Sequence, residues 1–226
     1  MEFLLDTANL GETRRGVKDF PITGLTSNPS IIKREGKIDF FNYFKEIRKV
    51  LGRDRGLHIQ VVAEDAKGIV DDAHAILKNV DDDVYIKLPI TPASLEAIAI
   101  LRKENINITA TAIYTKMQGY LALAAGVDYL VPYYNRMENL NICPKAVIAG
   151  FADKINKYQY KTKILAASFK NVAQINEAFD AGAQSATVAP SLLYDAFKVP
   201  SINGAIKDFK KDWEGLFGEG TTIANL

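Results

Sequence analysis

A single lysine interrupts an apolar run in the stretch Asp81-Asp82-Asp83-Val84-Tyr85-Ile86-Lys87-Leu88-Pro89-Ile90-Thr91-Pro92. The β-branched and aromatic residues of Val84–Ile90 predict a buried strand of a parallel sheet. Thr91, followed by a proline, predicts the start of a helix. An ammonium group in such a strand loses hydration, which lowers its pKa and favours the neutral, nucleophilic amine. Lys87 is therefore a candidate Schiff-base nucleophile, and the alternative is a lysine whose stem packs while its head reaches water or a carboxylate.

The same kind of apolar run, ending in small polar residues, recurs along the chain. The eight runs are Phe3–Thr7, Gly24–Asn28, His58–Ala63, Val84–Ile90, Ile106–Ala112, Tyr129–Tyr134, Ile164–Phe169 and Ser185–Pro190. Segments with helical periodicity separate them: Leu10–Lys18, Phe40–Leu51, Asp65–Val80, Ala93–Glu104, Lys116–Ala125, Ala146–Tyr158, Val172–Ala181 and Ser191–Phe197. This alternation predicts an α/β fold with a parallel sheet closed as a (β/α)8 TIM barrel. A doubly wound open sheet is the alternative, but no GxGxxG motif follows a strand.

The chain length favours one domain over residues 1–226, because single α/β barrels commonly contain about 200–250 residues. A further amphipathic helix is predicted at Ile202–Phe217, beyond the eighth unit, with Phe209, Trp213 and Leu216 among its apolar residues. Apolar residues left over after barrel closure often cover a neighbouring subunit. The sequence therefore predicts a homo-oligomer in which this C-terminal helix packs on another copy of the chain.

Composition argues against several classes of function. The 28 basic and 27 acidic side chains nearly cancel, so no nucleic-acid partner is expected. Cys143 is the single cysteine, which excludes an internal disulfide, and neither histidine has a metal-ligand partner at suitable spacing. The start of the chain does not read as a signal peptide, and no run reaches the roughly 18 apolar residues of a membrane span. We therefore expect a cytoplasmic protein without a metal, a cofactor or a membrane partner.

Polar residues close seven of the eight runs, where the chemistry of a TIM barrel lies. They are Asp6, Thr26, Asn28, Gln60, Lys87, Thr111, Tyr133, Asn135, Arg136, Ser168 and Lys170. A lysine surrounded by an acid, an amide, a threonine and a tyrosine predicts an imine-forming site with proton-transfer groups. Arg136, Ser168 and Lys170 are suited to hold an anion such as phosphate. Asp6 as a turn cap and Asn28 as a helix start are the structural alternatives.

Six short motifs follow one another along the chain. They are Leu5-Asp6-Thr7, Thr26-Ser27-Asn28-Pro29-Ser30, Ile86-Lys87-Leu88-Pro89, Thr111-Ala112-Ile113-Tyr114, Pro132-Tyr133-Tyr134-Asn135-Arg136 and Ala166-Ala167-Ser168-Phe169-Lys170. Together they resemble the transaldolase family, in particular its short fructose-6-phosphate aldolase branch, from Met1 to the Trp213 region. The resemblance implies a (β/α)8 barrel whose fourth-strand lysine, here Lys87, forms the imine. It also implies an oligomer built on rings, a decamer.

The resemblance assigns roles to the other residues at the strand ends. Asp6, Asn28 and Thr111 are expected to bind the dihydroxyacetone unit or to assist proton transfer. Tyr133, together with Thr111 and Gln60, is expected to position the catalytic water. Sugar phosphates and dihydroxyacetone are therefore the implied small-molecule partners.

Phosphate recognition is expected at Arg136 and Ser168, with Lys170 as a further charge, and Thr26 completes the substrate-binding set. The segment Met137–Pro144 lacks glycine where the family has an acidic, glycine-rich loop. If this segment shapes the acceptor pocket, the preference among aldehydes differs from that of the family.

Two positions distinguish the branches of the family. Transaldolases resemble one another in carrying a glutamate on strand three and a phenylalanine on strand six, whereas Gln60 and Tyr133 are typical of the aldolase branch. A phenol and an amide can direct a water and a proton to the enamine, which allows free ketone to leave. The resemblance thus implies a metal-independent class I aldolase that cleaves fructose 6-phosphate reversibly. The alternatives are a transaldolase and a non-catalytic sugar-phosphate-binding barrel.

Overall fold

Eight parallel strands form a closed barrel in a computed structural model that describes all 226 residues. The strands are β1 (Glu2–Asp6), β2 (Ile22–Thr26), β3 (Gly56–Gln60), β4 (Tyr85–Pro89), β5 (Ile108–Ile113), β6 (Tyr129–Pro132), β7 (Lys163–Ala166) and β8 (Ser185–Val188). Each strand pairs with its neighbours in sequence, and β1 also pairs with β8. The predicted (β/α)8 barrel is confirmed, and the open sheet is wrong because no edge strand remains.

Helices follow the strands in alternation. They are α1 (Leu10–Asp19), α2 (Pro29–Ile32), α3 (Phe40–Leu51), α4 (Ala66–Asn79), α5 (Pro92–Leu101), α6 (Lys116–Ala124), α7 (Tyr134–Asn139), α8 (Pro144–Tyr158), α9 (Val172–Asp180), α10 (Pro190–Asp195) and α11 (Pro200–Phe217). None of them is both long enough and apolar enough to cross a membrane.

The short helix α7 was not predicted from the sequence, and α2 was considered only as the helix that Asn28 could start. Helix α7 takes up residues assigned above to the end of the sixth strand and to the glycine-free segment Met137–Pro144. The backbone N–H groups of Tyr134 and Asn135 donate to the carbonyl oxygens of Ala167 and Ser168, beyond β7, instead of continuing β6. Six residues are too few to display helical periodicity, so only the tertiary contact reveals this turn.

Side-chain caps start several helices immediately after the strands. Thr91 accepts a hydrogen bond of 3.1 Å from the backbone N–H of Ser94, and Pro92 occupies the first turn of α5, as predicted. Thr115 and Gln118 form a reciprocal capping box at the start of α6. These caps satisfy N–H groups that a helix start leaves unpaired, and they fix the short connections at the C-terminal ends of the strands.

The barrel interior combines an apolar cluster with buried polar side chains. The cluster comes from β1, β6, β7 and the residue after β7, and its members are Leu4, Val131, Leu165 and Ala167, with Tyr129 and Tyr133 packed against it. Polar side chains from the other strands are paired: the hydroxyls of Thr26 and Thr187 are 2.7 Å apart. Because buried polar groups need partners, these threonines pair across β2 and β8.

Strand β5 carries an irregularity near its C-terminal end. The pairing of β5 with β6 shifts between Ala110 and Ile113, and Ala112 has a left-handed backbone with φ of 57°. Such a bulge redirects neighbouring side chains and is common next to functional sites. Here the residue before Ala112 is Thr111, which is fully buried.

The chain divides into two compact units. The first, Met1–Pro190, contains the eight strands, and the second is Ser191–Leu226. Within the second unit, the predicted amphipathic helix is confirmed as α11. Phe209 and Leu216 of this helix expose 71% and 79% of their surface. The assignment of residues 1–226 to one domain and the packing of 202–217 on another subunit stay predictions.

Candidate active site

Lys87 lies inside the barrel and is only 2% exposed. In register it stands between Gln60 of β3 and Thr109 of β5. Its Nζ atom donates a hydrogen bond of 3.1 Å to the backbone carbonyl of Ser27, at the end of β2. Burial lowers the pKa of Lys87, while the negative charge of Asp6 acts in the opposite direction. The structure therefore contains a desolvated amine of the kind that imine formation requires.

Asp6 ends β1 and is paired in register with Thr26. The Thr26 hydroxyl donates a hydrogen bond of 2.9 Å to Oδ1 of Asp6. Loss of solvation raises the pKa of this carboxyl, against the charge of Lys87 and the Thr26 hydrogen bond. Helix α1 is capped by Asn9 rather than by Asp6. The carboxyl is therefore not used as a helix cap, and its raised pKa contrasts with the lowered pKa of the Lys87 amine, whose charge acts on it.

Thr111 and Tyr133 form a hydrogen-bonded pair at the ends of β5 and β6. The Thr111 hydroxyl donates to the Tyr133 phenolic oxygen over 3.1 Å. Burial raises the pKa of Tyr133, whereas the Thr111 hydrogen bond and the charge of Arg136 oppose the increase. The phenol is thus protonated at neutral pH. It can act as a proton donor, because the bond from Thr111 occupies only an acceptor position of its oxygen.

Gln60 ends β3 next to Lys87, and its Oε1 atom is buried without a hydrogen-bond partner. A buried carbonyl oxygen of this kind is costly unless a donor reaches it. A substrate hydroxyl or a catalytic water would supply that donor. Gln60 is therefore placed to hold a polar group beside the amine.

Asn28 performs the structural task considered from the sequence. Its Oδ1 accepts a hydrogen bond of 3.0 Å from the backbone N–H of Ile31, which caps α2. The amide nitrogen of the side chain is not used in this cap. Asn28 is held at the end of β2, with two N–H donors available for a ligand.

Arg136 lies on α7 and its guanidinium is anchored on two tyrosines. Its Cζ atom lies 4.9 Å from the centre of the Tyr133 ring, and Nη1 donates to the Tyr114 hydroxyl over 3.4 Å. The rings of Tyr114 and Tyr133 meet edge to face, with centres 5.7 Å apart. The sequence motif included Tyr114, but its pattern offered no role for it. Only the fold shows that it contacts two predicted site residues.

Ser168 and Lys170 follow β7. Ser168 has a left-handed backbone with φ of 66°, and its carbonyl accepts a hydrogen bond of 2.9 Å from the Asn135 N–H. This bond brings the segment after β7 to the start of α7, which carries Arg136. The backbone N–H of Lys170 donates to Gln174, but its exposed ammonium makes no hydrogen bond or ion pair with another predicted site residue. The structure thus links Ser168 to the arginine helix by a hydrogen bond, whereas the Lys170 ammonium makes no such link.

His58 belongs to this interior, although its residue type suggested only a metal ligand, which the spacing made improbable. Its Nδ1 atom and the Thr109 hydroxyl are hydrogen-bonded at 2.8 Å, and its ring stacks on Tyr85 with centres 4.5 Å apart. Burial and the positive charge of Lys87 lower the pKa of His58 to about 3. The imidazole is therefore neutral at physiological pH. The His58 imidazole is thus a polar but uncharged group in the barrel interior near Lys87.

Comparison with known proteins agrees with this geometry. The family model described as transaldolase/fructose-6-phosphate aldolase matches residues 3–220. A curated protein of Streptococcus pneumoniae, named probable fructose-6-phosphate aldolase, is 52% identical over 213 residues, which cover 94% of this chain and 96% of the relative. The matched region contains every predicted site residue and all of the eight strands except Glu2, the first residue of β1. The chain belongs to the transaldolase/fructose-6-phosphate aldolase family.

Proposed function

We propose that this protein is a class I aldolase that reversibly splits fructose 6-phosphate into dihydroxyacetone and glyceraldehyde 3-phosphate. The observation that carries the proposal is the buried amine of Lys87, whose pKa is lowered by burial and which lies near the raised-pKa carboxyl of Asp6. The similarity to a relative named probable fructose-6-phosphate aldolase supports the choice of substrate. The reaction needs no metal, because the protonated imine itself withdraws electrons.

The proposed mechanism begins when the neutral amine of Lys87 attacks the C2 carbonyl carbon of the ketose. Loss of water gives a protonated imine. Asp6 then removes the C4 hydroxyl proton, the electrons of the C3–C4 bond flow into the imine, and glyceraldehyde 3-phosphate leaves. Tyr133 delivers a proton to C3 of the remaining enamine, which restores the imine, and a water held by Gln60 hydrolyses it. The proton that Asp6 took from the C4 hydroxyl returns to the Tyr133 phenolate through this water. Free dihydroxyacetone and the lysine amine are regenerated.

Binding of the substrate is assigned to residues around this core. Thr26, Asn28 and Thr111 contact the hydroxyls of the three-carbon ketone unit in this proposal. The phosphate of the aldehyde lies at Arg136 and Ser168, and Lys170 adds positive charge from the rim. The support for this assignment is the hydrogen bond that holds the Ser168 segment against helix α7.

A transaldolase is the second candidate, because the matching family description names both activities. Gln60 and Tyr133 favour the aldolase, since they offer a water site and a proton to the enamine. One sample of enzyme distinguishes the two reactions when fructose 6-phosphate is supplied with and without erythrose 4-phosphate. The aldolase is expected to release free dihydroxyacetone in both mixtures. A transaldolase would instead transfer the three-carbon unit to erythrose 4-phosphate, giving a seven-carbon ketose phosphate and glyceraldehyde 3-phosphate without free dihydroxyacetone.

Borohydride trapping tests the imine directly. Incubation with dihydroxyacetone and borohydride is expected to reduce the imine to a stable adduct on the peptide that contains Lys87. An adduct on another lysine would reassign the nucleophile. No adduct at all, with sugar phosphate still bound, would identify a non-catalytic binding protein.

We further propose a cytoplasmic homo-oligomer, a decamer, in which the apolar side chains of α11 are covered by another subunit. The support is the exposure of Phe209 and Leu216, 71% and 79% respectively, on a helix that also carries the Trp213–Phe217 ring contact. Large exposed apolar side chains in a row mark interaction surfaces. Light scattering after size exclusion gives the mass of the assembly and so measures the number of subunits.

A further inference from the structure

The guanidinium of Arg136 has no carboxylate partner, yet it is held in place. Tyr133 contacts its face, with Cζ 4.9 Å from the ring centre, and the Tyr114 hydroxyl accepts a hydrogen bond of 3.4 Å from Nη1. The remaining N–H groups of this side chain stay available. The arginine is therefore oriented by neutral aromatic groups that leave its charge free for an anion.

Tyr114 connects the two contacts. It follows β5, and its ring meets the Tyr133 ring edge to face at 5.7 Å between centres and 74° between planes. It thus contacts the proton-donor candidate through its ring and the arginine through its hydroxyl. The two parts of the side chain can be removed separately, because phenylalanine keeps the ring and loses only the hydroxyl.

We propose that Tyr114 is a positioning residue that orients Arg136 toward the phosphate of the aldehyde and thereby sets the preference for phosphorylated over unphosphorylated aldehydes. The inference rests on the proposed aldolase function. An exposed arginine loses side-chain freedom when it binds an anion, and an arginine already held in place loses less. The Tyr114 hydroxyl therefore strengthens phosphate binding without touching the phosphate.

The test compares glyceraldehyde 3-phosphate with glyceraldehyde in aldol addition to dihydroxyacetone. For Tyr114→Phe, we expect kcat/KM for the phosphorylated aldehyde to fall about three- to tenfold through KM, with kcat unchanged, the size of one hydrogen bond. The value for glyceraldehyde should stay the same. The matched control is Tyr120→Phe, because Tyr120 contacts Phe151 and no site residue. This control should behave like the wild type with both aldehydes.

A double-mutant cycle shows whether Tyr114 acts through Arg136. Arg136→Ala alone should reduce kcat/KM for glyceraldehyde 3-phosphate by about ten- to a hundredfold, the range of a charge-assisted hydrogen bond. Adding Tyr114→Phe to Arg136→Ala should then cause no further loss. The full additional loss in the double variant would overturn the proposal, as would equal losses for both aldehydes or no loss for either.

Failure of the proposed function is visible separately. If the wild type neither traps dihydroxyacetone nor cleaves fructose 6-phosphate, the aldolase assignment is wrong. The positioning role is then tested without turnover, by calorimetric binding of glyceraldehyde 3-phosphate to the four proteins of the double-mutant cycle. These are the wild type, Tyr114→Phe, Arg136→Ala and the double variant. Weaker binding by Tyr114→Phe that disappears in the Arg136→Ala background would support that role, and unchanged or additive binding would contradict it.

Discussion

The Thr111 hydroxyl donates a hydrogen bond of 3.1 Å to the phenolic oxygen of Tyr133 and so links the ends of β5 and β6. The left-handed backbone of Ala112 lies directly after this threonine. Because the phenolic oxygen accepts the bond, its own proton remains free for donation. Burial raises the pKa of Tyr133, so that proton is present at neutral pH. The bulge of β5 and the phenol that follows β6 therefore form one local arrangement.

The phenol of Tyr133 should be needed for rapid release of dihydroxyacetone. Tyr133→Phe keeps the ring that supports Arg136 but removes the proton, and general acid catalysis contributes on the order of 10²–10⁴-fold. We expect the rate of cleavage to fall by about this factor, with the imine still trapped by borohydride. Tyr120→Phe is the control for loss of a phenol elsewhere. Cleavage at the wild-type rate would mean that Tyr133 serves packing alone.

The amine of Lys87 should be indispensable. Lys87→Arg keeps a positive charge but cannot form an imine, because the guanidinium stays protonated. Lys87→Met keeps the stem and removes the buried polar amine, so it should fold at least as stably as the wild type. We expect both variants to have background activity and no borohydride adduct on this peptide, while Lys163→Arg, in β7, stays active. Thermal unfolding followed by circular dichroism checks the fold, and substantial turnover in either Lys87 variant would refute the assignment.

The carboxylate of Asp6 should hold the pKa of Lys87 above the value that burial alone would produce. Burial lowers this pKa, and the negative charge of Asp6 acts against the decrease. In Asp6→Asn that charge is absent, so the pKa of Lys87 falls further and the neutral amine appears at lower pH. We expect the rising limb of imine formation, measured by borohydride trapping across pH, to move to lower pH. A limb that moves to higher pH would exclude this electrostatic coupling.

The neutral imidazole of His58 should make the folded protein sensitive to acid. Its pKa is lowered to about 3 by burial and by the charge of Lys87, whereas an unfolded histidine titrates near about 6.5. Between these values the unfolded state binds more protons than the folded state. The free energy of unfolding is therefore highest above the unfolded pKa and decreases as the pH falls below it. The contribution from this group amounts to roughly 2–3 kcal/mol between about pH 7.5 and pH 4.5.

The variant His58→Phe isolates this contribution from that of the carboxylates. Phenylalanine retains a ring to stack on Tyr85, although it leaves the Thr109 hydroxyl without its partner at every pH. We expect urea unfolding to show a smaller loss of free energy on acidification for the variant than for the wild type. Parallel curves for the two proteins would show that His58 does not titrate on unfolding.

Most of the architecture could be predicted from the sequence, because it depends on local pattern. Alternating apolar runs and helical segments specify parallel strands buried on both faces, and Phe40–Leu51 coincides with α3 to the residue. The burial of Lys87 could also be predicted, because the residues beside it in the sequence are apolar and a lysine in such a strand loses hydration. The short α7 escaped prediction, because its start is fixed by the carbonyls of Ala167 and Ser168 rather than by its own periodicity.

The contacts between strands depended on the tertiary structure alone. The pairing of His58 with Thr109 spans 51 positions of the chain, and that of Arg136 with Tyr114 spans 22. The strand register and the bulge of β5 determine which side chains meet, and neither has a local signal in the chain. The sequence by itself determined the barrel, the nucleophile candidate and the set of polar strand ends. Only the folded barrel decided which of those groups form hydrogen bonds with one another and shift one another's pKa, because electrostatic coupling depends on distance and burial in space.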